Sequence, residues 1–164
     1  MATVTIKNLD RLTKRLNNIA DMDLKQRVNE ATKIVHAQAK DLAPVNKRGG
    51  GGALAGSIHM ESKKTKNGYE GRVYTNQEYS AYVEFGTGVK GNGTYPYEIE
   101  GVTLTYKDKG WAYKDPKTDE WVYTKGQEAQ PYMYPSLHIH KKRISKILKD
   151  GVSDNLAKNC KGGQ

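Results

Sequence analysis

Apolar residues near the start of the chain follow a helical period. Leucine and isoleucine recur at three- and four-residue steps over residues 9–19, which predicts an amphipathic helix. Residues 20–22 interrupt this stripe, and Asp23 followed by Gln26 has the pattern of a capping box. We therefore expect two consecutive helices. The second should end before Pro44, because proline disfavours the helical conformation of the residue that precedes it.

The middle of the chain changes to the alternating pattern of strands. Apolar and polar residues alternate over residues 58–61, a polar turn follows at residues 63–68, and the alternation returns over residues 69–75. This pattern predicts a β-hairpin. Residues 99–106 also have a strand composition, with apolar side chains at every second position.

A further hairpin is predicted around the sequence Asp-Pro-Lys-Thr-Asp at residues 115–119, which is typical of turns. A five-residue turn would pair Lys114 with Glu120. That register sets the aromatic residues of the two strands opposite each other as two pairs, Tyr113 with Trp121 and Trp111 with Tyr123.

Residues 79–88, with the sequence Tyr-Ser-Ala-Tyr-Val-Glu-Phe-Gly-Thr-Gly, contain the only Phe of the protein. A helix here would bury the two tyrosines and Val83 on one face, whereas a strand would alternate Glu84 with its apolar neighbours. Both conformations stay open at this stage. The chain is expected to turn sharply at the end of the segment, because Gly86 and Gly88 permit positive φ or close backbone approach.

A second proline-bearing segment precedes the C-terminal region. Pro131 and Pro135 lie four residues apart and favour an extended segment that leads into a helix starting at Pro135. The apolar residues expected on one side of this helix are Leu137, Ile144, Ile147 or Leu148, Val152 and Leu156.

Together these elements predict an α+β fold in which N-terminal and C-terminal helices pack on an antiparallel β-sheet, with an inserted aromatic β-hairpin. The length of 164 residues fits a single domain, residues 1–164. Within it we expect residues 89–128 to be an inserted hairpin region and residues 159–164 to be a flexible tail.

Composition narrows the class of protein. Only 36% of the residues are hydrophobic, and Tyr, with 11 copies, is the commonest aromatic residue. This favours a modest core and amphipathic surfaces that partners can cover. No membrane span and no signal peptide are expected. The single Cys160 cannot form an internal disulfide, which is consistent with folding in a bacterial cytoplasm.

The net charge of +9 is concentrated at the two ends of the chain. Residues 1–48 carry ten Lys and Arg against five Asp and Glu, and residues 136–164 carry seven against two. The cations expected on the exposed side of the C-terminal helix have three possible interpretations: a solvated surface, a contact with DNA phosphates, or a contact with an acidic neighbouring protein ring. The residues concerned are Lys141, Lys142, Arg143, Lys146 and Lys149.

Catalytic and metal-binding patterns are weak. His138 and His140 are two residues apart, so a helix points them to different faces and a shared metal is not expected. The glycine run at residues 49–52 lacks the Gly-Lys-Ser/Thr of a phosphate loop. Glu84 has no second carboxylate at a recognisable spacing, so we expect it to pair with Lys or Arg or to accept N–H bonds from the turn of residues 86–88. No cofactor and no metal are predicted.

Three segments occur in an order that is similar to one family. They are Leu-Ala-Pro at residues 42–44 with Leu-x-x-Ser-Ile at residues 54–58, then residues 79–88, then Ala-Gln-Pro-Tyr-Met-Tyr-Pro-Ser-Leu at residues 129–137. Together they resemble the gene-product-ten-like neck and tail-component family of tailed bacteriophages, over roughly residues 24–145. The motif positions are Pro44, Leu54, Ser57, Ile58, Tyr79, Tyr82, Val83, Glu84, Phe85, Gly86, Thr87, Gly88, Gln130, Pro131, Tyr132, Met133, Pro135 and Leu137.

The resemblance implies a non-enzymatic structural protein of the virion, at the neck or the top of the tail. Such a protein would form a homo-oligomeric ring that joins head to tail and would contact the adjacent head-connector and tail proteins. It would have non-specific contact, at most, with passing DNA. The alternative from another class is a small sequence-independent nucleic-acid-binding protein, which the basic termini favour.

Overall fold

A computed structural model describes residues 9–45, 52–66, 68–115 and 118–161. Its strands form two separate two-stranded antiparallel sheets, so the predicted α+β class is confirmed. Most of the glycine-rich loop lies outside the described residues. The elements in chain order are α1 (Leu9–Leu42), α2 (Ala53–Gly56), β1 (Ile58–Thr65), β2 (Gly68–Thr75), α3 (Ser80–Phe85), α4 (Gly88–Gly91), β3 (Trp111–Lys114), β4 (Trp121–Thr124) and α5 (Met133–Lys161).

Helix α1 is a single helix of 34 residues, so the predicted break at residues 20–22 is wrong. No Pro or Gly occurs in it, and the carboxylates that suggested a new N-terminus make other contacts. Asp23 accepts a hydrogen bond of 2.8 Å from Arg27 one turn later, and Asp21 accepts bonds from Lys64 and Tyr69. The helix ends at Leu42, before Pro44, as predicted.

The chain forms two compact units. One comprises residues 1–35, 60–73 and 140–164, and the other comprises residues 36–59 and 74–139. Helices α1 and α5 and strands β1 and β2 each contribute to both units.

In the first unit, helix α1 packs on the hairpin of β1 and β2. Ala31 and Thr32 are buried, and a Cβ atom at Gly71 of β2 would overlap the Thr32 side chain. A larger residue at position 71 would therefore separate helix and hairpin. The Asp21 carboxylate of α1 accepts two hydrogen bonds from the hairpin, one from the Lys64 ammonium group at 2.7 Å and one from the Tyr69 hydroxyl at 2.9 Å. Both bonds stabilise the charged carboxylate and therefore lower the pKa of Asp21.

The hairpin of β3 and β4 forms where predicted, but its register is shifted by one residue. Lys114 pairs with Trp121, and Asp115 donates its N–H to the Glu120 carbonyl, so Glu120 lies opposite Asp115 and not opposite Lys114. Asp119 closes the loop with a φ of 59°, a conformation that Asp tolerates better than most residues. A one-residue shift moves side chains to the other face, so the predicted aromatic pairs do not form.

Residues 102–107, all of them described, belong to no strand, which corrects the predicted strand at residues 99–106. The chain turns at Gly101, where φ is 75° and the Val102 N–H donates to the Ile99 carbonyl. The burial of side chains nevertheless alternates as the sequence pattern predicted, because Leu104 and Tyr106 are half-buried and their neighbours are exposed. Side-chain contacts, rather than a ladder of backbone bonds, hold this segment.

Candidate functional site

The three motif segments all lie in the second compact unit, residues 36–59 and 74–139. Leu54 and Ile58 are among its most buried side chains, at 4% and 1% exposure. The Ser57 hydroxyl donates to the Leu54 carbonyl at 2.7 Å and bonds to the Thr75 hydroxyl at 2.7 Å. Pro44 is half-buried after the end of α1.

Glu84 is the central polar group of this unit. It lies in helix α3 and is only 5% exposed. Its Oε2 atom accepts N–H bonds from Tyr132 at 2.8 Å and Met133 at 2.9 Å, and its Oε1 atom accepts one from Tyr134 at 3.0 Å. One carboxylate of the first motif thus binds three consecutive backbone donors of the last motif.

Met133 and Tyr134 are the first two residues of helix α5 and Tyr132 directly precedes them, so these N–H groups have no partner within the helix. Pro135 has no N–H group, and the Glu84 carboxylate accepts the N–H bonds of the two helix residues before it, Met133 and Tyr134. A negative charge at this end is also favourable for the helix dipole. The expectation that Glu84 accepts backbone N–H bonds is therefore correct, but the donors are in α5 and not in the turn of residues 86–88.

The turn after Glu84 requires glycine at two positions. Gly86 has φ 77° and ψ 175°, and Gly88 has φ 59°, so the predicted positive φ is confirmed. A Cβ atom at Gly86 would lie 2.7 Å from the Ala129 backbone nitrogen, and one at Gly88 would lie 2.7 Å from the Lys125 carbonyl oxygen. The turn is held against a returning backbone segment that leaves no room for a side chain.

Backbone bonds join the first of these segments, residues 79–88, to residues 127–130 on both sides of this turn. Thr87 exchanges two hydrogen bonds with Gln127, at 2.8 and 3.1 Å, and Gln130 donates its N–H to the Val83 carbonyl at 2.8 Å. Two side chains, which no sequence pattern had singled out, add further hydrogen bonds between these segments. The Gln127 amide donates to the Tyr82 carbonyl, and the Thr94 hydroxyl accepts the Ala129 N–H.

A run of aromatic rings continues from Phe85 to the start of α5. Successive ring centroids are 5.0 to 5.7 Å apart along the series Phe85, Tyr95, Tyr97, Tyr134 and His138. Such pairs add to the stability gained by burial. No motif or periodic pattern in the sequence pointed to Tyr95 and Tyr97, because both lie in the region interpreted as an insertion.

Two tyrosines of this unit titrate at unusually high pH. Burial raises the pKa of Tyr132 to about 12, and the Glu84 charge adds to the effect. The same two causes raise the pKa of Tyr95. The surroundings of Glu84 therefore hold neutral phenols beside a carboxylate whose lone pairs are used by backbone donors.

The outer side of the motif faces an open groove of about 720 Å³. Tyr79 and Tyr82 line it, are 42% and 60% exposed, and are not buried as helical spacing suggested. Leu137, expected on the apolar side of the last helix, is also 52% exposed. The remaining lining comes from the end of α3 and the turn after it, from the segment before β3 and the first residue of β3, and from one residue after β4: Val83, Gly86, Thr87, Gly88, Thr105, Tyr106, Lys107, Trp111 and Gln127.

Other candidate groups have structural partners. His36 bonds to the Ile58 carbonyl at 3.0 Å, His59 lies against the Tyr74 ring, and His138 stacks on Tyr134. Within the described residues, no three His, Cys, Asp or Glu side chains come together as metal ligands would. In the same part of the chain, no helix has the length and apolar character to cross a membrane.

The cations of α5 that sequence reasoning singled out are all exposed: Lys141, Lys142, Arg143, Lys146 and Lys149. They lie in the first compact unit. Cations on an exposed helix face can contact an anionic partner.

The site is thus a scaffold of backbone hydrogen bonds organised by one buried carboxylate. Residues 4–86 of the chain match the family described as "Bacteriophage HK97-gp10, putative tail-component". The chain therefore belongs to this family of phage tail components. The match ends at Gly86, so the α5 segment that binds Glu84 lies beyond it. No characterised protein and no solved structure matched the chain.

Proposed function

We propose that the protein is a structural component of a tailed-phage virion that assembles as a homo-oligomeric ring where the tail joins the head. It would act as a neck or tail-completion protein, be made in the host cytoplasm, and contact the adjacent head-connector and tail proteins. Membership of a tail-component family is the observation that carries this proposal.

The geometry at Glu84 supports a structural role over a catalytic one. A general acid or base must reach a substrate proton, and a nucleophile needs an activating partner close by. The Glu84 oxygens instead accept three backbone N–H bonds in a buried position. We infer that the motif positions a surface and carries out no reaction.

The test is whether the purified full-length chain assembles and whether the phage needs it to join head and tail. We expect mass photometry to give one discrete oligomer and electron microscopy to show a ring. A phage that lacks the gene should accumulate separate heads and tails, and the wild-type gene supplied in trans should restore joined particles. A monomer at all concentrations, or infectious particles without the protein, would contradict the proposal.

The exposed cations of α5 favour a second candidate, sequence-independent binding of nucleic acid. A protein with that function would bind random duplex DNA in the micromolar range or tighter at physiological salt. We expect only weak binding that disappears at moderate salt. Fluorescence anisotropy with a labelled random duplex, titrated at several salt concentrations, measures this. Tight binding that Lys142→Glu and Lys146→Glu together abolish would favour the second candidate.

A further inference from the structure

We propose that residues 3–6 of one copy of this chain add as a strand to the free edge of β1 in the next copy. This inference rests on the proposed function, since it names a contact that holds the homo-oligomer together. It follows from an uncovered strand edge in the first compact unit, an open groove beside that edge, and an N-terminal segment that cannot reach the groove of its own copy.

Strand β1 has an edge that no other strand covers. Within the described residues it pairs with β2 alone, so the backbone N–H and C=O groups on its other side join no ladder. Natural proteins usually protect such edges with lysine or proline. The lysines of β1, Lys63 and Lys64, lie towards the hairpin turn, whereas residues 60–62 contain neither Lys nor Pro. This part of the edge is therefore open to an added strand.

The groove beside this edge has a volume of about 420 Å³. Side chains of α1 and β1 line it: Lys25, Gln26, Asn29, Met60, Glu61 and Ser62. The Ser62 hydroxyl is buried and has no hydrogen-bond partner in the part of the chain that the structure describes. A buried hydroxyl without a partner costs free energy, so a donor or acceptor brought into the groove stabilises the complex.

Helix α5 packs on a different side of α1 from the groove. Arg27 of α1 donates a hydrogen bond to the Ile147 carbonyl of α5 at 3.2 Å. Lys25 and Asn29 lie about one turn apart and share a side of α1, and Arg27 between them points to another side. In the described part of the chain, no residue of α5 lines the groove. A strand can therefore enter it without displacing α5.

The occupant of the edge is residues 3–6, which precede the described part of the chain. They are Thr, Val, Thr and Ile, and consecutive β-branched residues favour extended strands. Residues 4–6 lie within the match to the family, so this segment belongs to the family's domain. Thr3 and Thr5 share one face of a strand and can offer a hydroxyl group to Ser62, a cross-strand pair that sheets commonly use.

The reach of the chain argues for a second copy as the donor of this strand. From Leu9, where α1 begins, to Lys25 at the groove the helix rises about 24 Å. The chain from Leu9 back to Thr3 spans at most about 22 Å when fully extended. Thr3 therefore stops short of the groove in its own copy, and Ile6 lies further away. Strand exchange between copies joins two different surfaces, and repetition of such a contact closes into a ring when the rotation allows.

Two variants of the full-length chain test the donor and the acceptor separately. The double variant Val4→Pro/Thr5→Pro removes two backbone N–H groups from the segment, and Lys25→Trp fills the groove. We expect each to weaken self-association about tenfold or more, as measured by mass photometry. Ala2→Pro is the control for the first, because it lies outside the segment. Lys33→Trp is the control for the second, because Lys33 is an exposed lysine of the same helix and unit that does not line the groove.

A mixing experiment tests whether the strand passes from one copy to another. The double proline variant keeps the groove, and Lys25→Trp keeps the segment. Mixed together, the two variants should form heterodimers and nothing larger, as measured by native mass spectrometry. Circular dichroism verifies that each variant is folded, and Lys25→Trp tests the acceptor independently of any change in the segment.

A synthetic peptide of residues 1–8 tests whether the contact is strand pairing. Its acceptor is the double proline variant of the full-length chain. Alternate residues of an edge strand direct their N–H groups to the neighbouring strand. N-methylation at Thr3 and Thr5, or else at Val4 and Ile6, should therefore weaken binding about tenfold or more, and the other pair should leave it unchanged. Equal effects of the two pairs, or no binding of the unmodified peptide, would overturn strand addition.

The oligomeric state of the wild-type chain separates this contact from the proposed function. Wild-type rings that neither variant weakens would overturn the strand exchange but leave the ring in place. Unchanged rings together with peptide binding would place each segment on β1 of its own copy, which also contradicts the exchange. A wild-type monomer at all concentrations would contradict both the exchange and the proposed function.

Discussion

Gly86→Ala is expected to unfold the unit formed by residues 36–59 and 74–139 at ordinary temperatures. The φ of 77° with ψ of 175° is a conformation almost restricted to glycine and costs another residue about 1–3 kcal/mol. The new Cβ atom would also lie 2.7 Å from the Ala129 nitrogen and 3.0 Å from the Gly91 Cα, both backbone atoms. We expect the free energy of unfolding to fall by about 4 kcal/mol or more, a large share of the stability of a typical domain.

Gly93→Ala is the control that separates the two causes. Gly93 has a similar φ of 72°, but nothing lies within 4 Å of the position of its Cβ. This variant should lose about 1–2 kcal/mol. Urea denaturation followed by tryptophan fluorescence suits both variants, because both Trp residues of the protein lie in this unit. Equal losses in the two variants would mean that the backbone around Gly86 is not as tightly packed as described.

Glu84→Gln is expected to lower the free energy of unfolding by about 2–3 kcal/mol and leave a folded protein. The single amide oxygen can keep the bonds to the Tyr132 and Met133 N–H groups. The amide NH₂ then faces the Tyr134 N–H, and two donors cannot bond. The protein thus loses one hydrogen bond to a charged group and keeps a buried N–H without an acceptor, and together these account for a loss of about 2–3 kcal/mol in the free energy of unfolding. The helix also loses a favourable charge at its N-terminus.

Glu78→Gln is the control for this change, since Glu78 is exposed and lies in the same unit. It should have wild-type stability. In phage complementation, Glu84→Gln should yield joined particles at reduced temperature and fewer of them when warm. A Glu84→Gln protein that is as stable as wild type, and enters particles, but yields no infectious phage would reveal a chemical role for the carboxylate.

Local signals in the sequence were sufficient for several features. Pro44 sets the end of α1 because proline constrains the residue before it, and this effect needs no partner elsewhere in the chain. Gly86 and Gly88 have positive φ because sharp turns select glycine. The alternation at the start of β1 and in β2 likewise reports a hairpin formed by neighbouring segments.

Features that depend on distant contacts could not be read in the same way. Asp23 has the sequence context of a helix cap, but Arg27 one turn later gives its carboxylate a partner inside a continuous helix. The hairpin register depends on whether Asp119 enters the left-handed region, a choice open to Asp and invisible in composition. The side chains that surround the motif, Thr94, Tyr95 and Gln127 among them, belong to no local pattern.

Glu84 illustrates the same limit most clearly. The absence of a second carboxylate at a recognisable spacing predicted a structural role for it, and the structure shows it buried and bonded to backbone donors. Its donors lie 48 to 50 residues further along the chain. A carboxylate that binds backbone N–H groups places no demand on the side chains of its partners, so no residue type in the sequence could identify them.

The distance along the chain between Glu84 and helix α5 has an evolutionary consequence. The carboxylate closes a loop, and the entropy lost on closure grows only with the logarithm of loop length, about 0.6 kcal/mol for each doubling. Relatives can therefore lengthen, shorten or replace the hairpin of β3 and β4 at little energetic cost, provided that the carboxylate still meets the first turn of the helix. The scaffold can stay constant while the surface offered to neighbouring proteins diverges with each new partner.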